Sequence, residues 1–220
     1  MFMRSRNKNA RHRASGLSLI EVLLVLAIVI ILASFSFIGV TAIMRQQHVT
    51  NAYNTTLSAI RLARDNAVAQ RTSYSVTFSA AATPNTIVIT PMLGFQGDLP
   101  TVTYQLPSDV TFLAQAGLPT AANAVPDGYG SGTVAIDFGW TINGIGQGGQ
   151  QTIFFCPDGS SQRAPGADGS CPGSWDGGVL YIAQAGNLMS SRAITLWGGT
   201  GRVHGWRLYN NGGGYQWQRQ

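Results

Sequence analysis

The sequence predicts an α+β chain: a long N-terminal helix, membrane-spanning in its first half, packed on an antiparallel β-rich C-terminal domain. Three observations predict it. Residues 22–44 contain no charge, an apolar period close to 3.6 continues to about residue 70, and beyond Arg71 the chain breaks into short β-branched and aromatic segments. The expected divisions are a leader over 1–16, a helix over 17–70 and a β domain over 71–220.

Residues 1–16 hold Arg4, Arg6, Lys8, Arg11 and Arg13 and no acid. At about 1.5 Å per residue the uncharged run behind them reaches roughly 35 Å, against about 30 Å for a hydrocarbon core. Bases ahead of such a run place residues 1–16 in the cytoplasm and the bulk of the chain outside. A secretory signal cleaved within "LASFSFIGVTA" is the competing reading. Glu21 argues against it, because an acid in an apolar span needs a partner. The most economical partner is an α-amine at Leu17, created by cleavage after Gly16 and contributed by a neighbouring subunit. The segment "RQQHVTNAYNTTLSAIRLARDNAVAQR" then carries the helix on, with Val49, Ala52, Tyr53, Leu57, Ile60, Leu62, Ala63, Ala67 and Val68 close to a 3.6 period. Arg61 and Asp65 stand one turn apart as an i,i+4 pair.

Beyond Arg71, "YSVTF", "TIVIT", "TVTYQL", "VTFL", "TVAIDF", "TIFF", "VLYIA", "RAITLW" and "RVHGWRLY" read as strands. No helix-length apolar pattern separates them, which excludes a parallel α/β sheet and favours an antiparallel two-sheet or barrel-like domain against the helix. Residues 114–132 and 157–178 read as loops. A charged fraction of 10% and 27 glycines suit a loop-rich β domain.

The formal net charge of +5 says little about partners. Five of the 14 bases lie in the leader, and without it nine bases face nine acids. The distribution is more informative, since no acid follows Asp176 whereas Arg192, Arg202, Arg207 and Arg219 do. Cys156 and Cys171 bracket a hydrophilic loop. Two thiols without a nearby histidine make a poor zinc site. In an oxidising compartment they would close a disulfide loop, and facing the cytosol they would stay free.

"GLSLIEVLLVLAIVIILA" resembles the N-terminal signature of type IV pilins and type II secretion pseudopilins. The resemblance implies a prepilin peptidase cut between Gly16 and Leu17, methylation of Leu17, and a subunit-docking role for Glu21. Leu17 stands where phenylalanine is commonest, a large apolar residue in either case. "RLARDNAVAQRTSYSVTF" and, near the other end, "RAITLWGGTGRVHGW" look like the GspH/FimT minor pilins and pseudopilins. The implied fold is pilin-like. The implied partners are the prepilin peptidase, other pilin or pseudopilin subunits, an inner-membrane assembly platform and the lipid bilayer. The implied location is the bacterial inner membrane, crossed once, with the C-terminal domain periplasmic.

Enzymatic patterns are missing from the sequence: no Gly-x-Ser-x-Gly, no phosphate-binding glycine loop and no metal-ligand spacing occur. "GIGQGG" reads as a turn. Asp158 and Asp168 sit in Asp-Gly turn contexts, which outweigh a calcium reading. No catalytic residue, metal or cofactor is implied. The C-terminal hairpin offers an alternative function. In FimT-like members a Gly-Arg-x-Arg element binds DNA for uptake; here Arg202 keeps the first arginine and His204 replaces the second. A mostly neutral imidazole gives up most of one phosphate-pairing charge. Strand alternation places Arg202, His204 and Trp206 on one face. Arg207 and Arg219, interleaved with Trp206, Tyr209, Tyr215 and Trp217, extend a pattern suited to single strands or phosphate backbones. The plainer alternative packs Trp206 and Leu208 in the core and leaves the arginines solvated.

Overall fold

A computed structural model describes residues 18–92, 100–141, 148–164, 170–171 and 173–220, without the side chains of 35–42 and 141. The chain divides into two compact units, Met1–Ile43 and Met44–Gln220. One α-helix, α1 (Leu19–Gln70), runs through the boundary.

In the first unit, α1 opens with the backbone amides of Glu21 and Val22 donating to the Ser18 carbonyl at 3.0 and 3.2 Å. Glu21 occupies the first turn, where a carboxylate complements the positive end of the helix dipole. Twelve large apolar side chains between Leu19 and Leu32 are 49–78% exposed. They lie on every side of the helix, so this stretch has no polar face.

Two sequence expectations are corrected here. Among the described residues, no helix is long and apolar enough to cross a membrane. The membrane-spanning first half, and with it the single-pass inner-membrane placement with a periplasmic domain, is therefore not supported. Nor does a long helix pack as a whole on the β domain in the expected pilin-like manner. The two units are separate, and only the part of α1 from Met44 onward belongs to the β-rich one.

In the second unit, α1 buries Val49, Ala52, Tyr53, Thr56, Ala59, Ile60, Ala63 and Ala67. Small residues dominate this stripe and let strand backbone come close. The helix ends where Arg71 turns left-handed, at φ 53°, a conformation that breaks the helical hydrogen-bond pattern.

Two antiparallel sheets follow. The first comprises β1 (Tyr74–Ser79), β2 (Thr86–Pro91), β3 (Val102–Gln105), β6 (Thr152–Phe155) and β7 (Ser161–Gln162), in the order β3-β2-β1-β6-β7. The second comprises β4 (Thr111–Phe112), β5 (Ile136–Thr141), β8 (Asp176–Ala183), β9 (Arg192–Trp197), β10 (Arg202–Asn210) and β11 (Tyr215–Arg219). Its order is β11-β10-β9-β8-β4, with β5 also paired to β8. Val76, Phe78, Ile87, Ile89, Ile153 and Phe155 from the first sheet join Leu180, Ile182, Ile194 and Leu196 from the second in one core with the helix stripe.

The second sheet is covered on both faces. Along β8, Leu180 and Ile182 face the helix-side core, whereas Val179 and Tyr181 join Leu118, Tyr129, Ala193 and Leu208 in a second cluster. All eight β8 residues are buried, as alternation between two cores requires. The loop over 114–132, including the 3-10 turn Pro126–Gly128, supplies the cover for this outer face.

Candidate functional site

The C-terminal hairpin forms as its sequence suggests. β9 and β10 pair in register from Arg202 opposite Trp197 to Arg207 opposite Arg192. The turn needs Gly201: its φ is +60°, and a Cβ there would meet the Gly159 carbonyl oxygen and come within 2.8 Å of Arg64 Nε. That close approach brings the hairpin turn against α1. Arg64 Nε donates to the Gly159 carbonyl at 3.1 Å. Arg202 consequently lines a cleft of about 310 Å³ with Arg61 and Arg64 of the helix. Asp65 also lines it, paired with Arg64 at 4.0 Å in an exposed position, so three arginines against one aspartate leave two positive charges in excess.

The other residues marked by sequence do not join Arg202. His204 is 9% exposed and turned into the outer cluster, where its Nδ1 is 2.9 Å from Asp127 Oδ2. The same Asp127 oxygen accepts the Thr195 hydroxyl, and Thr195 Oγ1 accepts Trp206 Nε1–H at 3.1 Å. His204 therefore faces a carboxylate, not solvent. Arg207 lies on the opposite, helix-side face of β10 with its guanidinium 5.2 Å from the centre of the Tyr209 ring. Beside it is the buried Arg192, whose Nη1 donates to the carbonyls of Ser190 and Ser191 at 3.3 and 3.2 Å. Burial, and then the neighbouring Arg207 charge, hold the Arg192 pKa below the usual guanidinium range. Arg219 is exposed on β11, opposite Trp206 in the register.

The Asp127–His204–Thr195 cluster has triad residue types but not triad geometry. A nucleophile must meet the imidazole nitrogen that the acid does not hold. Here the Thr195 hydroxyl and His204 Nδ1 share one carboxylate oxygen, while buried His204 Nε2 has no partner among the described residues. The cluster can fix positions; it cannot relay a proton from Thr195 through His204.

Sequence reasoning missed Asp127 and the arginines of α1. Asp127 has φ 51°, uncommon for a non-glycine residue although aspartate tolerates it, and is followed by Gly128 at φ 74°. The "PDGYG" run signals the turn but not its destination. Arg61 and Arg64 fall one turn apart on α1, a spacing visible in "IRLARD", yet only the fold shows that they meet the hairpin.

Cys156 and Cys171 are joined by a disulfide with Cα atoms 6.0 Å apart. Asp158 makes an Asx turn, its Oδ1 accepting the Ser160 amide at 2.8 Å and the Ser160 hydroxyl at 2.6 Å. Those bonds hold its pKa below the ordinary carboxylate value. Among the described residues no group of His, Cys, Asp or Glu is placed to hold a metal. Gly16 and Leu17, Asp168 and most of "GIGQGG" lie outside the described residues. Glu21 is exposed in the first turn of α1.

Comparison with protein-family models, with curated proteins and with solved structures finds no match to this chain.

Proposed function

We propose that the chain is a non-enzymatic filament subunit of the minor pilin or pseudopilin kind, joining its neighbours through the N-terminal part of α1. The observation that carries this reading is the exposed apolar stretch from Leu19 to Leu32, with Glu21 in its first turn. A helix that is apolar all round has to be covered. Twelve such side chains, each worth about 1.5–3 kcal/mol when fully buried, supply a large driving force for helices of several subunits to bundle. Within such a bundle Glu21 needs a cation, and the α-amine of Leu17 on a neighbouring subunit, freed by a prepilin peptidase, answers that need. Both a type IV pilus and a type II secretion pseudopilus would use this arrangement.

The test is the mass and the assembly of the full chain expressed with a prepilin peptidase. The expected product lacks the sixteen residues before Leu17 and carries one added methyl. Glu21→Ala is expected to be processed normally yet to enter filaments poorly. Cleavage downstream of Leu32, or normal assembly of the Glu21→Ala protein, would refute the reading.

A second reading, DNA binding for uptake, retains one specific support. The Arg61–Arg64–Arg202 cleft is a concentrated positive site on an otherwise nearly balanced domain. It draws on Arg202 but not on His204, and it recruits helix residues in place of the C-terminal aromatic segment.

A further inference from the structure

A second cleft, of about 610 Å³, lies on the outer face of the second sheet between residues 122–128 and the β10–β11 pair. We propose that this cleft binds neutral sugar rings, stacking them on Trp206, Tyr215 and Trp217 and holding their hydroxyls through Asp127 and Asn123. The inference does not depend on how α1 assembles.

The aromatic wall follows from strand register. Leu208 pairs with Trp217 and Asn210 with Tyr215, so Tyr215, Trp217 and Trp206 share one face of two neighbouring strands. Trp206 and Trp217 are half-buried, and Tyr215 is 38% exposed. The rings are also fixed in advance. Trp206 is tied through Nε1 to Thr195, and the Trp217 ring packs 5.6 Å from that of Tyr181. Rings already locked in place lose little freedom when a ligand settles on them. The C–H face of a pyranose is apolar and slightly positive, the complement of the negative face of an aromatic ring.

The polar wall separates a sugar from other flat ligands. Among the described residues Asp127 is the only charged one lining the cleft, and Asn123 supplies a carboxamide. Asp127 is held in a left-handed conformation by His204 and Thr195, both bonded to Oδ2, so the network uses one of the two carboxylate oxygens. An acceptor-only carboxylate beside a carboxamide suits a polyhydroxyl ligand. The same carboxylate would repel a nucleic-acid backbone, and the arginines that attract phosphate line the other cleft. A wholly apolar ligand would offer nothing to the second carboxylate oxygen of Asp127 or to the Asn123 carboxamide. The volume falls within the range of small-ligand sites.

The experiment is titration of the full chain, kept in a detergent without a sugar headgroup, with cellohexaose, chitohexaose and maltohexaose. Calorimetry and tryptophan emission are the readouts, and each sugar is taken to about 5 mM. At least one hexasaccharide is expected to bind with a submillimolar Kd and to shift the emission. Tyr215→Ala, which removes an exposed ring, should weaken that binding about tenfold. Asn123→Ala should also weaken it, in a loop position that carries no core contact. Trp175→Ala removes an exposed tryptophan outside the cleft and should leave binding unchanged. Absence of binding by all three sugars overturns the proposal, as does binding indifferent to both Tyr215→Ala and Asn123→Ala. Binding of a thymidine dodecanucleotide in their place, weakened by Tyr215→Ala, would reassign the cleft to single-stranded nucleic acid.

Discussion

Replacing Asp127 by alanine removes the one acceptor that orders the outer face of the second sheet. Its Oδ2 accepts from buried Thr195 and stands 2.9 Å from His204 Nδ1. The variant leaves those two groups without that oxygen, in a place that water reaches poorly because the His204 and Asp127 side chains are 9% and 13% exposed. An unsatisfied buried donor costs about 1–3 kcal/mol, and Thr195 keeps its bond from Trp206, so the expected total is about 3 kcal/mol. For a domain of this size that corresponds to a fall in Tm of roughly 6–12 °C. Asp127→Asn should lose less than half as much, because asparagine also tolerates a positive φ and retains an acceptor oxygen. Urea unfolding of the full chain, followed by tryptophan emission, gives the free energies. A cycle with His204→Ala should show coupling, since the two residues share one bond. If Asp127→Ala unfolds within about 0.5 kcal/mol of the parent, as an ordinary surface substitution does, the buried network is not what holds the 122–128 loop on the sheet.

Other consequences can be measured in the same way. Asp176 is buried, its Oδ2 has no hydrogen-bond partner among the described residues, and burial raises its pKa against the opposing pull of Arg163. A raised folded-state pKa means stability present at acid pH and lost as pH rises through that pKa, so Asp176→Asn should be more stable than the parent at pH 7 by about 1 kcal/mol. The gap should close toward the ordinary carboxylate pKa, and an equal gap at both ends would contradict the assignment. Removing the disulfide as Cys156→Ala with Cys171→Ala should cost about 3 kcal/mol in the chain-entropy account, given a sequence separation of 15. An unchanged urea midpoint would show that the 156–171 loop is constrained by other contacts. Any duplex DNA binding should be weak, should fall steeply with salt, and should drop with Arg64→Ala as much as with Arg202→Ala. Loss on Arg219→Ala alone would return that activity to the C-terminal strand.

Much of the β domain was legible because strand signals are local. "TIVIT" became β2, "TIFF" became β6, and the Gly-rich turn between "RAITLW" and "RVHGWRLY" closed the expected hairpin. The last strand, "YQWQR", was missed because it has no β-branched residue, only Tyr215, Trp217 and Arg219 alternating with glutamines. The helical stripe from Val49 to Ala67 was readable from its period. The membrane reading fails differently: it took an uncharged run as a span, whereas among the described residues no helix is long and apolar enough to cross a membrane.

The fate of His204 shows why a site is harder to read than a strand. Alternation correctly separates Arg202, His204 and Trp206 from Val203, Gly205 and Arg207, but it cannot say which set is covered. In this chain both are. The odd-numbered set meets the helix so closely that a Cβ on Gly205 would collide with the Tyr53 hydroxyl and lie 2.8 Å from Cζ of its ring. In the even-numbered set His204 and Trp206 are covered by the 114–132 loop, whose turns have no period to read, whereas Arg202 stays exposed beside α1. The two faces of β10 therefore answer to different perturbations. Changes at Gly205 or Tyr53 act on the attachment of the sheet to the helix. Changes at Trp206, Asp127 or Tyr215 act on the outer cleft. A variant that abolishes ligand binding from the outer face should still enter filaments, so the two proposed activities can be separated within one strand.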